Sequence, residues 1–325
     1  MKVITTPLAG EHPQLFHYTS AAGLDGIIQS QTLRATHYAY LNDAEEIKYF
    51  LKKRLPEIFE KVILSLGFEE KEACQRGKQI AKSLQDKLLN SATDNEPLAE
   101  PYITSFCTTR NSDERVDKHG LLSQWRGYGK DGGYALVFDT KNLSELLTEF
   151  SEKYENCGDL FGGNVVYSND SEQTFSKEFE ADLATMETFL SSHLRGADDD
   201  ENLENIFIAI MRCACRYKHW GFKEENEVRL VFIPHNKETR EYARREGITI
   251  NHIQQKQYVR FGKSIPFVDL LEGITSATRS LPIQRVIIGP CAEHERARRV
   301  RAVEILLRQH DIDAKVSASE IPFVV

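Results

Sequence analysis

Apolar positions along the chain fall into short runs whose period switches between about two and about four, and the switches divide it into strands and helices. Leu15–Tyr18 reads as a strand, followed by a helix from about Ala21 with Thr19 or Ser20 as cap and Leu24, Ile27 and Ile28 on one face. A second helix begins near Asp43, turns Ile47, Phe50, Leu51 and Leu55 inward, and is kinked or ended by Pro56. Charged helical sequence continues to about Leu89, and "NSATDNEP" reads as a loop. "PYITSFCTT" and "GGYALVFDT" are strand patterns, the second closed by a helix over "NLSELLTEF". Helical sequence returns around Glu172–His193. After the acidic loop "RGADDDEN" it resumes with Leu203, Ile206, Ile210, Ala214 and Tyr217 at helical spacing. "NEVRLVFI" alternates as a half-buried strand. "RVIIG", a helix from about Glu293 and "AKVSAS" form a βαβ-like unit, which permits a parallel pairing. Together these predict one α+β domain over residues 1–325, with a mixed sheet core, a helical insertion at about 44–95 and a C-terminal βαβ-like unit.

Composition narrows the class. With 41% hydrophobic and 28% charged residues the chain can bury a core and stay in solution. A net charge of −8 offers no general attraction to nucleic acid or an anionic membrane. The start lacks a basic segment followed by an apolar stretch, and no apolar run approaches the roughly 18 residues of a membrane span. Six irregularly spaced cysteines read as reduced thiols, so a cytoplasmic location without membrane attachment is expected.

The strongest chemical candidate is "HWGFKEENEVRLVFI". Strand alternation puts Glu225, Glu227 and Arg229 on one face and Val228, Leu230 and Phe232 on the other. Two carboxylates beside a guanidinium can bind a sugar hydroxyl or stabilise a developing cation; the plainer reading is a solvated face with a local ion pair. In "LNDAEEI", Asp43 and Glu46 have the spacing of a helix capping box. Gly127, Gly129 and Gly132 spell GxGxxG, but a strand rather than a helix follows, so they read as a flexible turn. Cys213 and Cys215 would point apart on a helix, so with His219 they read as buried thiols, not a metal set. Gly289 and Pro290 form a turn into a helix, and Arg296, Arg298, Arg299 and Arg301 a solvated face.

"HYTS", "LNDAEE", "SFCTTR", "WRGYGKDGGYALVF", "YKHWGFKEENEVRLVF", "VIIGP" and "SASEIPF" together resemble a bacterial family known as a domain of unknown function, over about Leu15 to Phe323. More distantly, His17, Ser105 in "ITSFC" and Glu227 in "EENEVR" stand in the order of the three strand motifs of ADP-ribosyltransferases. "HYTS" followed by "GLDGII" is similar to the opening of DNA-targeting ADP-ribosyltransferase toxins. The chain departs from that pattern in having Tyr18 where many members have glycine, and Thr104-Ser105-Phe106 where Ser-Thr-Ser is common.

The resemblance implies an ADP-ribosyltransferase-like fold and NAD as substrate, with no metal. His17 would bond the adenosine ribose, Tyr18, or Tyr38 and Tyr40, would stack on nicotinamide, and Ser105 would orient His17 or Glu227. Glu227 would hold the nicotinamide ribose and stabilise its oxocarbenium ion, Glu225 would position or deprotonate the acceptor, and Arg229 and Trp125 would support the site. It further implies a toxin or phage-defence effector with an unspecified protein or nucleic-acid acceptor and an antitoxin or regulatory partner. Two alternatives stand beside it. One is a non-catalytic ligand-sensing or protein-interaction module with Trp125, Tyr128 and Trp220 as packing or interface anchors. The weaker one is a metal-dependent nucleic-acid-processing enzyme using Asp43, Glu46 and Glu227.

Overall fold

A computed structural model describes residues 6–41, 44–89, 100–109, 114–128, 133–155, 157–196, 200–235, 237–249, 251, 253–260, 262–276 and 278–322. Among these, twelve strands are β1 (Gln14–Thr19), β2 (Leu33–His37), β3 (Tyr102–Cys107), β4 (Tyr134–Asp139), β5 (Gly158–Asn164), β6 (Val166–Tyr167), β7 (Tyr217–Lys218), β8 (Glu227–Pro234), β9 (Lys256–Arg260), β10 (Lys263–Leu270), β11 (Ile283–Ile288) and β12 (Lys315–Ala318). Ten of them form one mixed sheet, and β6 and β7 form a separate parallel pair. The fold is mixed α+β. The βαβ unit at the C-terminal side is present: β11 and β12 pair in parallel across the helix Glu293–Gln309.

Strand β3 is where the sheet divides. One of its edges pairs with β8 along its whole length, from Tyr102↔Phe232 to Cys107↔Glu227. The other partners meet only its ends: β2 at Tyr102 and Ile103, β1 at Cys107 opposite Phe16. Beyond Phe16, β1 stays with β4 and parts from β3. At the parting point the His17 ring bridges the gap, its Nδ1–H donating to the Ser105 carbonyl at 2.9 Å.

Between β2 and β3 the chain is helical over Ala44–Tyr49, Leu55–Ser65 and Glu70–Leu89; residues 90–95 lie outside the described part. The expected kink near Pro56 is a π turn, Phe50–Arg54, in which the Leu55 N–H bonds the Phe50 carbonyl. Proline has no N–H for the Lys52 carbonyl and its ring crowds that group, so the backbone widens just before it. The helix expected around Glu172–His193 is two, Glu172–Glu178 and Glu180–Leu194. Gly127, expected in a flexible turn, lies in a helix over Leu122–Tyr128; Gly129 and Gly132 lie outside the described residues.

Three apolar clusters hold these layers. Leu24, Ile28, Phe138, Phe150, Val228, Leu230, Phe232 and Val286 pack on one side of the sheet. Phe50, Phe59, Leu84, Met186, Leu190, Ile210, Ile103, Phe161 and Val231 fill the side beneath the helices of 44–89 and 172–214. Phe16, Tyr18, Trp125, Val137 and Ile287 make a third. Strand β8 is therefore covered on both faces, whereas alternation predicts a half-buried strand. The helices pack over its charged face, and Glu227 and Arg229 are sealed in at 5% and 2% exposure.

Candidate active site

The site begins at one residue with a positive φ. Asn226 sits at φ 44° and ψ 59°, a left-handed conformation that asparagine tolerates better than most side chains. Its amide donates to the Thr108 carbonyl at 2.9 Å and also meets the Thr108 hydroxyl, and its own carbonyl accepts from Thr108 N–H at 3.0 Å. The lock ends the 3₁₀ turn Trp220–Glu225 and starts β8 at Glu227. Glu225 is thus not a strand residue as alternation predicts, because the left-handed step interrupts the extended backbone.

The two carboxylates converge all the same. Lys218 Nζ lies 2.8 Å from Glu225 Oε2 and 3.0 Å from Glu227 Oε2. Arg229 grips Glu227 in bidentate fashion, Nε to Oε1 at 2.8 Å and Nη2 to Oε2 at 3.2 Å. Its remaining arm, Nη1, donates to the Cys215 carbonyl at 2.9 Å. The Glu227 N–H donates to the Tyr167 hydroxyl at 3.0 Å. From the helix Ala44–Tyr49, Glu46 reaches to 3.7 Å from Arg229 Nη2. Glu46 is buried beside the guanidinium; Asp43, the other half of the expected capping box, lies outside the described residues. Three carboxylates meet two cations, and the group runs inward from Glu225, whose side chain is 23% exposed, to Glu227 at 4%.

Paired charges of this kind keep Glu227 anionic and stationary in a dry setting, where its field on a nearby charge is strong. Cys107, directly opposite Glu227 in the ladder, has its thiol pushed well up by burial and then by the Glu227 and Glu225 charges, so it is no nucleophile. Cys213 and Cys215 are likewise buried and protonated; the helix stops at Ala214, so only the first of them is helical.

His17 stands on β1, which β3 separates from β8. Burial pushes its imidazole below 6.5, partly offset by the bond to the Ser105 carbonyl, so the ring is neutral near pH 7. Because a carbonyl can only accept, Nδ1 carries the proton and Nε2 is an acceptor. Ser105 is paired with Arg229 across the ladder and holds His17 through its carbonyl, but it does not bring His17 and Glu227 onto one face. By the pleat, His17 lies across the strand from Phe16, which shares the Cys107 and Glu227 side.

Tyr18 and Trp125 do not open toward this group. The Tyr18 ring meets Trp125 edge-on at 4.8 Å, and its hydroxyl accepts from Leu121 N–H at 2.8 Å. Trp125 is 1% exposed and donates to the His119 carbonyl. Both are packing residues: Tyr18 cannot stack on a ligand as expected, and Trp125 is a packing anchor, not an interface one. Tyr40 is open to solvent, 5.7 Å from the His37 ring. Trp220 and Phe222 are exposed on the turn that carries Glu225, with Lys218 Nζ 4.7 Å from the Phe222 ring centre.

Lys218 and Tyr167 are central here, yet nothing in the sequence marks them. They arrive on a two-residue parallel pair, β6–β7, too short for any periodicity. Among the described residues no group of three or more His, Cys, Asp or Glu side chains could hold a metal ion, and no helix is long and apolar enough to cross a membrane.

Residues 124–230 match a family described as a protein of unknown function (DUF2971). The match takes in Lys218, Glu225, Glu227 and Arg229 and leaves out His17, Glu46 and Ser105. No curated protein and no solved structure matches the chain.

Proposed function

We propose that the protein is an NAD-consuming, ADP-ribosyltransferase-like enzyme that breaks the bond between nicotinamide and ribose. The observation that carries this reading is the Glu227 carboxylate, held through both oxygens by Arg229 and Lys218, with the more open Glu225 on the same lysine. As the C1′–N bond breaks, its electron pair leaves with nicotinamide and positive charge builds on the ribose. A stationary anion beside that carbon lowers the barrier. The acceptor then bonds C1′ and gives up its proton to Glu225. Tyr40 lies against the nicotinamide ring, and Ser105 holds His17 through its carbonyl on the opposite face from Glu227, so His17 supports the strand and does not touch the ribose. Tyr18 and Trp125 act only as the packed wall behind them.

The test is nicotinamide release from NAD, with and without cell lysate as acceptor. Glu227→Gln is expected to lower release by about a hundredfold or more, the scale of losing one pre-set charge partner of the transition state. Glu225→Gln should spare hydrolysis by water more than transfer to an acceptor. Undiminished release by Glu227→Gln would defeat the mechanism. In a bacterial cell the activity would make the chain a toxin or phage-defence effector, with an antitoxin or regulatory partner to restrain it. Induced expression should then slow growth for the native chain and not for Glu227→Gln.

A second reading has its own observation. Trp220 at 56% and Phe222 at 44% exposure stand on the Glu225 turn, and Tyr128 is also open, as the anchors of a protein-interaction or ligand-sensing module would be. Absence of both release and NAD binding would leave this reading standing.

A further inference from the structure

Away from the Glu227 group, a pocket of about 160 Å³ opens between the helical segment around Arg54 and the chain following β6. Its walls set the rings of Tyr49, Tyr167, Phe175 and Tyr217 among charged side chains. The Tyr49 and Tyr217 rings lie within 11° of parallel with centroids 6.3 Å apart; Tyr217 is buried and Tyr49 is 41% exposed at the mouth. Such walls suit a flat ring.

The charges give the sign of the occupant. Glu172 receives Arg54 at 2.7 Å and Lys61 at 2.9 Å, Glu57 receives Arg54 at 3.1 Å, and Asp170 receives Lys223 at 2.6 Å. Three carboxylates are thereby matched by three cations. The fourth cation, Lys53, lines the pocket with no ion pair among the described residues. The Tyr217 hydroxyl likewise has no hydrogen-bond partner among them. One uncompensated positive charge and an open phenol favour an acceptor-rich monoanion. The volume lies below the roughly 300 Å³ where drug-sized sites begin, which limits the occupant to one ring and its acid group.

We propose that this pocket is a binding site for a small aromatic carboxylate of about the size of benzoate. It backs onto the catalytic candidate: in the β6–β7 pair Tyr217 turns to the pocket, and the adjoining Lys218 turns to Glu225 and Glu227. The proposal does not rest on NAD cleavage: of the pocket's lining only Tyr167 also meets the Glu227 group, through the Glu227 N–H, and it takes no part in the proposed chemistry.

The experiment is a titration of the full chain by ligand-observed NMR with benzoate, with benzylamine as the cation of similar shape. Native protein is compared with Lys53→Glu and Tyr49→Ala. Both side chains are exposed, so the variants should keep the native melting temperature. Benzoate is expected to saturate and to bind at least about tenfold tighter than benzylamine. Lys53→Glu should weaken benzoate about fivefold, Tyr49→Ala about threefold, and Glu227→Gln not at all. Failure of benzoate to saturate, equal affinity for benzylamine, or indifference to both pocket variants would overturn the site.

Discussion

Arg229 shows what single residues do in this protein. It holds Glu227 with two nitrogens, carries the Cys215 carbonyl on a third, and faces Glu46. Arg229→Leu would leave two buried carboxylates sharing far less positive charge, so we expect a loss of about 3–5 kcal/mol in urea unfolding. Conservative replacement by lysine should not restore it, because a point charge cannot reproduce the bidentate grip. His17 offers a pH test. Its folded pKa is lowered, so the unfolded chain takes up a proton first as the pH falls below 6.5. The associated stability is present above that value and is lost toward the lower folded pKa. His17→Gln should flatten the decline in urea midpoint between about pH 6.5 and 5. The chemical types at Glu225, Glu227 and Arg229 were legible in "EENEVR". Their partner Lys218 was not, because nine residues separate it from Glu227 and only the β6–β7 pair brings them together.

Among elements, the junction between the 3₁₀ turn and β8 matters most. Asn226 keeps a left-handed backbone there while bonding Thr108 on the neighbouring chain segment. Asn226→Ala should cost about 1–2 kcal/mol, from strain at positive φ and the lost bond to Thr108, read as a lower urea midpoint. Asn226→Gly should relieve the strain and not the lost bond, which separates the two causes. In the sequence this asparagine sits inside an alternating pattern and passes for a strand residue. Backbone handedness leaves no trace in polarity, so Glu225 was placed one element too late. Strands β2, β5, β9 and β10 escaped for a related reason: β2 is only five residues long, three of the seven in β5 are Gly158, Gly162 and Gly163, and β9 is largely exposed. The glycine at 163 has a packing cause, since a Cβ there would fall 1.9 Å from Arg216 Nη1.

At the scale of the molecule, the sheet divides at β3, and the division decides which distant residues can act together. If NAD sits there, it should stabilise the whole fold through binding even when chemistry is blocked. Glu227→Gln can be weakened in binding as well as in turnover, so Glu225→Gln is the better reporter. At NAD a hundredfold above its Kd, the gain in unfolding free energy is about 2.7 kcal/mol, visible as a higher melting temperature. No shift at millimolar NAD for either variant or for the native chain would count against the proposed substrate.

Local patterning was enough to determine the helices that carry apolar faces, the strands β1, β3, β4 and β8, the C-terminal βαβ unit and the mixed α+β class, because period and turn chemistry act within a few residues. It also determined that β8 bears a glutamate and an arginine on one face. Only the tertiary structure decided that this face is buried, that Glu46 from the helices after β2 closes on Arg229, and that Lys218 joins Glu225 to Glu227. Burial of a charged face depends on what packs over it, and here the covering helices come from segments far away in sequence. A pattern of polarity records which side chains can be charged, but not which of them water can still reach.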